Sequence, residues 1–218
     1  MTSTGFQRAR SPEAKQQRED AILAAATRLG AEHGIRQITL TGLAAAVDMH
    51  KSALLRYFET REQIFLRLTA TSWQQWSADL LSCTGAMTAD TPTSDVAQAF
   101  SQTLTSRPLF CDLLAHAPMN LERNVSLDQV RTFKYATHAE VETIVGELRR
   151  LRPHLTDIQA VDVIATATSM AGAMWQMATP APEVAELYRS DPRLQLAVFD
   201  VTERLTRILR ALIDGYLH

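Results

Sequence analysis

Hydroxyls and cations gather in the stretch T-L-T-G-L-A-A-A-V-D-M-H-K-S-A-L-L-R-Y-F from Thr39 to Phe58 and in the T-R-E-Q that begins at Thr60. At helical spacing Lys51, Ser52 and Arg56 share a polar face, while Ala53, Leu54 and Phe58 supply apolar packing. Such a face can neutralise phosphates and donate hydrogen bonds to phosphate oxygens or base edges, so the chemistry is recognition and not bond-making. The arrangements that make or break bonds are missing. No Glu-x-x-His, His-Glu-x-x-His, Gly-x-Ser-x-Gly, phosphate-binding loop or dinucleotide-binding glycine pattern occurs. The histidines at 33, 50, 116, 138, 154 and 218 have no paired metal spacing. His138 with Glu140 and Glu142 is the nearest cluster, and solvated helix surface explains it better. We therefore expect no catalytic residue, no metal site and no cofactor. A helix-bundle enzyme with bridging carboxylates is the rival that these absences disfavour.

Elements must position those donors, and the periodicity says they are helices. Apolar residues recur three or four apart and no stretch alternates with period two, which predicts an all-α protein. Thr39 is placed to cap a helix through Leu43, Ala44 and Val47, and a second helix runs from about Lys51 to Phe58. Two short helices joined by a tight turn form a helix-turn-helix. Before them a polar arm, residues 1–11, carries Arg8 and Arg10, which could reach a minor groove. Helix one follows from Pro12 to about His33 with Ile22, Ala25, Ala26 and Leu29 as its buried stripe, and stops at Gly34. A fourth helix opens at Thr60, with Gln63 reaching back in a capping box, and runs through Trp73 and Trp76 to about Leu80. After a loop at Ser82–Pro92 the expected helices are Ser94–Ser106, Pro108–Ala115, Ser126–Leu151, Asp157–Ala178, Pro182–Arg189 and Pro192–Tyr216. The domain division is then an arm at 1–11, a DNA-binding unit at 12–59 and a larger unit at 60–218.

Composition bounds the function. With 218 residues and 46% hydrophobic content the chain can bury a full core. Cys83 and Cys111 have neither disulfide-framework nor zinc spacing, and no apolar run of membrane length or signal-peptide core is present. A soluble protein of the reducing cytoplasm is expected, with no membrane partner. The net charge is −2, but residues 1–67 carry 10 Lys+Arg against 7 Asp+Glu, a charge of +3, leaving −5 for the remainder. The basic end is the one with the helix-turn-helix, where a local excess can steer the chain to phosphates.

Two downstream helices carry heptad seams. Val161, Ile164, Thr168, Ala171, Trp175 and Ala178 step by 3 or 4 along one, and Leu194, Val198, Val201, Leu205, Ile208 and Leu212 along the other. These seams serve either an intramolecular helix pair or a four-helix interface with a second copy about a two-fold axis. A second stripe, Val163, Ala167, Met170, Met174 and Met177, faces the chain's own interior. With Trp73, Trp76, Phe100, Phe110 and Phe133 its methionines form either plain core or an adaptable apolar effector pocket.

The segment Arg18–Leu68 resembles the DNA-binding domain of tetracycline-repressor-type (TetR family) transcriptional regulators. The resemblance lies in R-E-D-A-I-L-A-A-A at 18–26, Gly34, T-L-T-G-L-A-A-A-V at 39–47 and K-S-A-L-L-R-Y-F-E-T-R-E-Q-I-F at 51–65. It implies a homodimeric, all-helical regulator with a divergent C-terminal ligand-binding and dimerisation domain. By matching position it puts Lys51, Ser52 and Leu55 at the major groove, Tyr57 and Arg61 on phosphates, and Thr39 and Thr41 against the backbone. His50 and Arg56 complete the expected DNA face. Three departures stand out: Asp48 where the family turn usually has Gly, Gly30 where helix one usually carries Phe, and Leu55 and His50 in place of an aromatic and a Ser or Thr.

The expected function is a homodimeric repressor on a palindromic double-stranded operator, released when a small apolar effector enters the C-terminal domain and moves the Thr60–Leu80 helix. An architectural DNA binder without an effector is the alternative, disfavoured by the long C-terminal domain.

Overall fold

The apolar periodicity is met by helix throughout. The computed structural model describes residues 12–117 and 121–217, so the 1–11 arm with Arg8 and Arg10 lies outside the described residues. In chain order the elements are α1 (Pro12–His33), a 3₁₀ turn (Ile35–Gln37), α2 (Leu40–Ala46), α3 (Lys51–Leu54) and α4 (Arg61–Thr84). Then come α5 (Thr93–Thr105), α6 (Pro108–His116), α7 (Leu127–Leu151), α8 (Asp157–Ala178), α9 (Pro182–Ser190), a 3₁₀ segment (Pro192–Ala197) and α10 (Val201–Leu217). Among the described residues there is no strand, and no helix is long and apolar enough to cross a membrane.

Short polar side chains start these helices by replacing missing backbone partners. Thr39 Oγ1 accepts the Gly42 N–H at 3.0 Å, Thr60 Oγ1 accepts the Gln63 N–H at 3.1 Å, and Thr156 with Gln159 forms a reciprocal capping box on α8. At Thr60 the expected box is altered: the Gln63 side chain accepts from the Glu59 N–H, one residue earlier. Gly34 ends α1 at φ 74°, and Asp48 takes the left-handed turn at φ 52°, a conformation that Asp tolerates better than most side chains.

Two buried clusters share α4. The first joins Ile22 and Ala26 of α1, Leu43 of α2, Leu54 of α3 and Phe65 of α4 to Leu113 and Ala117 of the α6 end and Phe133 of α7. The second gathers Trp73, Trp76 and Leu80 of α4 with Phe100, Phe110, Leu148, Val163 and Leu205 from α5, α6, α7, α8 and α10. α4 therefore runs unbroken from the helix-turn-helix end into the C-terminal core.

Three expected spans change, the first being α4, which runs on to Thr84 past Leu80 and into the stretch expected to be loop from Ser82. α3 is regular only to Leu54; beyond it Arg56 N–H bonds to Ala53 O and Tyr57 N–H to Leu54 O, the tighter i to i+3 pattern in which short helices often end. The predicted helix from Pro192 is broken: a 3₁₀ segment ends at Ala197, Val198 is extended, and α10 starts at Val201 with Asp200 Oδ1 accepting the Glu203 N–H at 2.7 Å.

Candidate nucleic-acid interface and effector cavity

The reading head places its donors at the surface. Thr39, Thr41, His50, Lys51, Ser52, Leu55 and Arg56 are exposed and Tyr57 is half-buried, packed beside the first cluster. Thr39 uses a lone pair to cap α2, which leaves its O–H free to donate. His50 caps α3: its Nδ1 lies 2.9 Å from Ser52 Oγ and accepts the Ser52 N–H at 3.4 Å. Among the described residues neither Lys51 nor Arg56 forms an ion pair within the chain, so both cations remain available to an external anion.

Arg61 is different. Its Nε donates to Ile38 O at 2.6 Å, Nη2 to Ile35 O, and Nη1 to Glu62 Oε1 at 3.1 Å, with the guanidinium 4.8 Å from the Phe65 ring centre. The side chain assigned to a phosphate is turned inward and straps the α1–α2 connection to α4.

A cavity of about 710 Å³ opens between α4, α6, α7 and α8. Of the eight side chains expected to line a pocket only Trp73 and Phe133 do so, joined by Leu114, Val141, Val145 and Val161. Trp76, Phe100 and Phe110 are buried core instead, meeting edge to face or tilted at ring-centre distances of 6.1 and 6.2 Å. Met174 is buried, Met170 packs on the second cluster, and Met177 is 56% exposed. Spacing on a helix marks an apolar face without saying whether the face meets space or neighbours.

The heptad seams also resolve differently. Ile164, Thr168 and Ala171 of α8 and Val201 and Leu205 of α10 are buried within the chain, where α8 and α10 pack together. They are the intramolecular alternative. Leu194 and Val198 precede α10, the latter 62% exposed, while Val161, Trp175, Ile208 and Leu212 keep accessible surface.

The sequence places α6 as a helix, but sequence reasoning missed its contacts with the helix-turn-helix end. Leu109 of α6 fills the notch at Gly30, where an added Cβ would come within 2.7 Å of Leu109 Cδ1; the space left by the absent Phe is taken by the C-terminal domain. One turn later Asp112 is buried, its Oδ2 accepting the Ile35 N–H and its Oδ1 the Gln176 Nε2–H, each at 2.8 Å, with His116 Nδ1 3.4 Å from Oδ1. One carboxylate thus joins the helix-turn-helix end, α6 and α8. The signal was present: a lone acid inside P-L-F-C-D-L-L-A-H must find partners when its neighbours are buried. Next to it, burial pushes the Cys111 thiol up to about 12, with the Asp112 charge adding to the effect.

The domain content decides the family. Residues 22–68 match bacterial regulatory proteins of the tetR family, and residues 70–218 match the tetracyclin repressor-like C-terminal domain. The chain belongs to the TetR family. As a TetR-family transcriptional regulator it carries the helix-turn-helix DNA-binding domain and the larger helical C-terminal domain. No curated protein matches its sequence. Solved TetR-family folds do match. The possible TetR family regulator from Streptomyces coelicolor A3(2) is 20% identical, with 90% of this chain and 97% of that chain covered and a TM-score of 0.59. The Thermus thermophilus FadR, a TetR family repressor solved in complex with lauroyl-CoA, is 18% identical over 90% and 94%, TM-score 0.59. The fatty acid degradation regulator FadR from Bacillus halodurans is 12% identical over 95% and 98%, TM-score 0.58.

Proposed function

We propose that this regulator is a homodimeric repressor that an apolar small molecule releases from a palindromic operator. The observation that carries the ligand response is α6, which touches both ends of the problem. Leu114 and Ala117 face the cavity, while Leu109 and Asp112 hold α1 and the α1–α2 connection. Gly172 locks α6 against α8, since a Cβ there would lie 2.8 Å from the Ala115 nitrogen. A ligand that displaces α6 therefore reaches the reading head directly as well as through α4. Release requires tighter binding to the DNA-incompetent arrangement; about 1–3 kcal/mol of coupling gives roughly 5- to 150-fold weaker operator binding. The FadR relative holding lauroyl-CoA supports an apolar effector by analogy of fold.

For dimerisation the buried seams are replaced by the outward faces of the same helices. Ala165, Ala173 and Met177 of α8 and Ile208, Ala211, Leu212 and Gly215 of α10 retain access to solvent away from the cavity lining. Small and apolar side chains allow close helix approach, and a two-fold axis would set one reading head in each of two successive major grooves. Within each head, Lys51, Ser52 and Leu55 read the groove, and Thr39, Thr41, His50, Arg56 and Tyr57 serve backbone or flanking contacts.

The test is fluorescence anisotropy of the protein on DNA from its own promoter against scrambled DNA, at several salt concentrations and with candidate effectors. Selective binding that effectors weaken is expected. Equal affinity for both DNAs would sink the repressor reading.

A further inference from the structure

Resting on the reading of the α4–α6–α7–α8 cavity as the effector site, a second conclusion concerns the charge of what enters it. The inner wall is mainly apolar, built from Trp73, Leu114, Phe133, Val141 and Val145, and the buried hydroxyls of Thr69, Thr137 and Thr168 that share it donate to carbonyls of their own helices. The rim carries three basic residues, and each already has an acid beside it. Lys134 Nζ lies 2.7 Å from Glu122 Oε1, Arg149 Nη1 2.6 Å from Asp157 Oδ1, and His138 Nδ1 3.2 Å from Glu142 Oε1. Arg149 is further engaged through Nε, which donates to the Leu155 carbonyl at 3.1 Å. All six charged or ionisable side chains line the cavity. Counting His138 as neutral, two cations stand against three carboxylates, so the lining has a charge of −1.

The consequence is a preference of sign. A carboxylate or diphosphate head would have to share Lys134 or Arg149 with the acid already beside it, and would meet an excess of negative charge. A cationic head meets Glu142, whose side chain is 71% exposed and whose ion-pair partner among the described residues is the His138 imidazole. The rim already accommodates a cation on an aromatic face, with Lys134 Nζ 5.6 Å from the Phe133 ring centre. We propose that the effector is an apolar molecule with a cationic head, such as a hydrophobic amine or quaternary ammonium, and that the same chain on an anionic head is discriminated against.

Tryptophan fluorescence of the full chain reads this, because Trp73 lines the cavity. Four probes share a twelve-carbon chain: dodecyltrimethylammonium, dodecanol, dodecanoate and lauroyl-CoA, each kept below its micelle concentration. The ammonium should bind tightest, about tenfold tighter than dodecanoate, a margin of the size one close charge contact provides at a partly exposed site. Glu142→Gln should narrow that margin. Gly146→Phe blocks the site as a control: Gly146 lines the cavity and a Cβ there meets nothing within 4 Å, so the ring enters open space. If no probe binds, or if Gly146→Phe leaves binding intact, the cavity is not the effector site and both conclusions fall. If the probes bind in a Gly146→Phe-sensitive way but dodecanol, dodecanoate or lauroyl-CoA matches or exceeds the ammonium, the charge preference alone is overturned.

Discussion

At Asp112 a buried carboxylate accepts one backbone and one side-chain hydrogen bond from two different parts of the chain. Asp112→Ala leaves the Ile35 N–H and the Gln176 amide without that partner, a cost of about 1–3 kcal/mol. Urea denaturation should show the loss, and effector titration should show a reduced change in operator affinity, because the α6 connection to the head then rests on apolar contacts alone, those of Leu109 and Leu113 among them. Arg61 and Lys51 separate in a similar comparison. Arg61→Ala removes hydrogen bonds to two carbonyls and should lower stability by about 1–3 kcal/mol while leaving the salt slope of DNA binding unchanged. Lys51→Ala should leave stability alone and make the slope shallower by about 1 if the ammonium sits on a phosphate. The position of Arg61 in the motif was legible; its inward hydrogen bonds were not, since their carbonyl acceptors at Ile35 and Ile38 are invisible to side-chain patterning. Thiol chemistry divides likewise. Cys83 is exposed, whereas Cys111 is buried with its thiol pushed up to about 12, so a thiol reagent should label the first and spare the second in the folded protein.

Among the helices, caps and breakers made most boundaries readable. α8 keeps the expected span Asp157–Ala178, opened in the structure by the Thr156–Gln159 box, and Pro108 and Pro182 each open a helix as expected. The failure at α10 has a physical cause: Leu194 and Val198 keep a helical interval across backbone that turns 3₁₀ and then extends, and periodicity cannot register a break that preserves spacing. The cavity was legible at only two of its eight expected residues for a related reason. Trp73 and Phe133 border space while Trp76, Phe100 and Phe110 border one another, and only the packing distinguishes them. Helix crossings give the sharpest test at this scale. Gly172→Ala sets a Cβ against backbone of α6 and should destabilise by about 1–3 kcal/mol. Gly30→Ala presses only on the mobile end of Leu109 and gains up to about 1 kcal/mol of helix propensity, so thermal melting should rank it the milder of the two.

For the whole molecule, a net charge of −2 with its positive excess before residue 68 means that DNA attraction is local and salt-sensitive. All-α architecture and the helix-turn-helix were legible because they rest on local spacing and capping. The surface proposed to face a second copy was not, because a heptad seam looks the same whether a helix packs on its own chain or on another. Ala173→Arg with Ala211→Arg puts cations on the outward faces of α8 and α10 and should yield folded monomers in sedimentation; a surviving dimer would exclude those faces as the interface.

The filled notch at Gly30 also limits how freely the ends of this protein can be exchanged. A reading head transplanted from a relative that carries Phe at this position would bring a benzyl group into the volume held by Leu109, whose Cδ1 already lies 2.7 Å from where a Cβ would start. Chimeras joined at the start of α4 should therefore assemble poorly until the incoming residue 30 is reduced to Gly or Leu109 is trimmed to Ala. Operator choice and body are coupled by one steric fit, and recombination between family members would have to exchange both halves of it together.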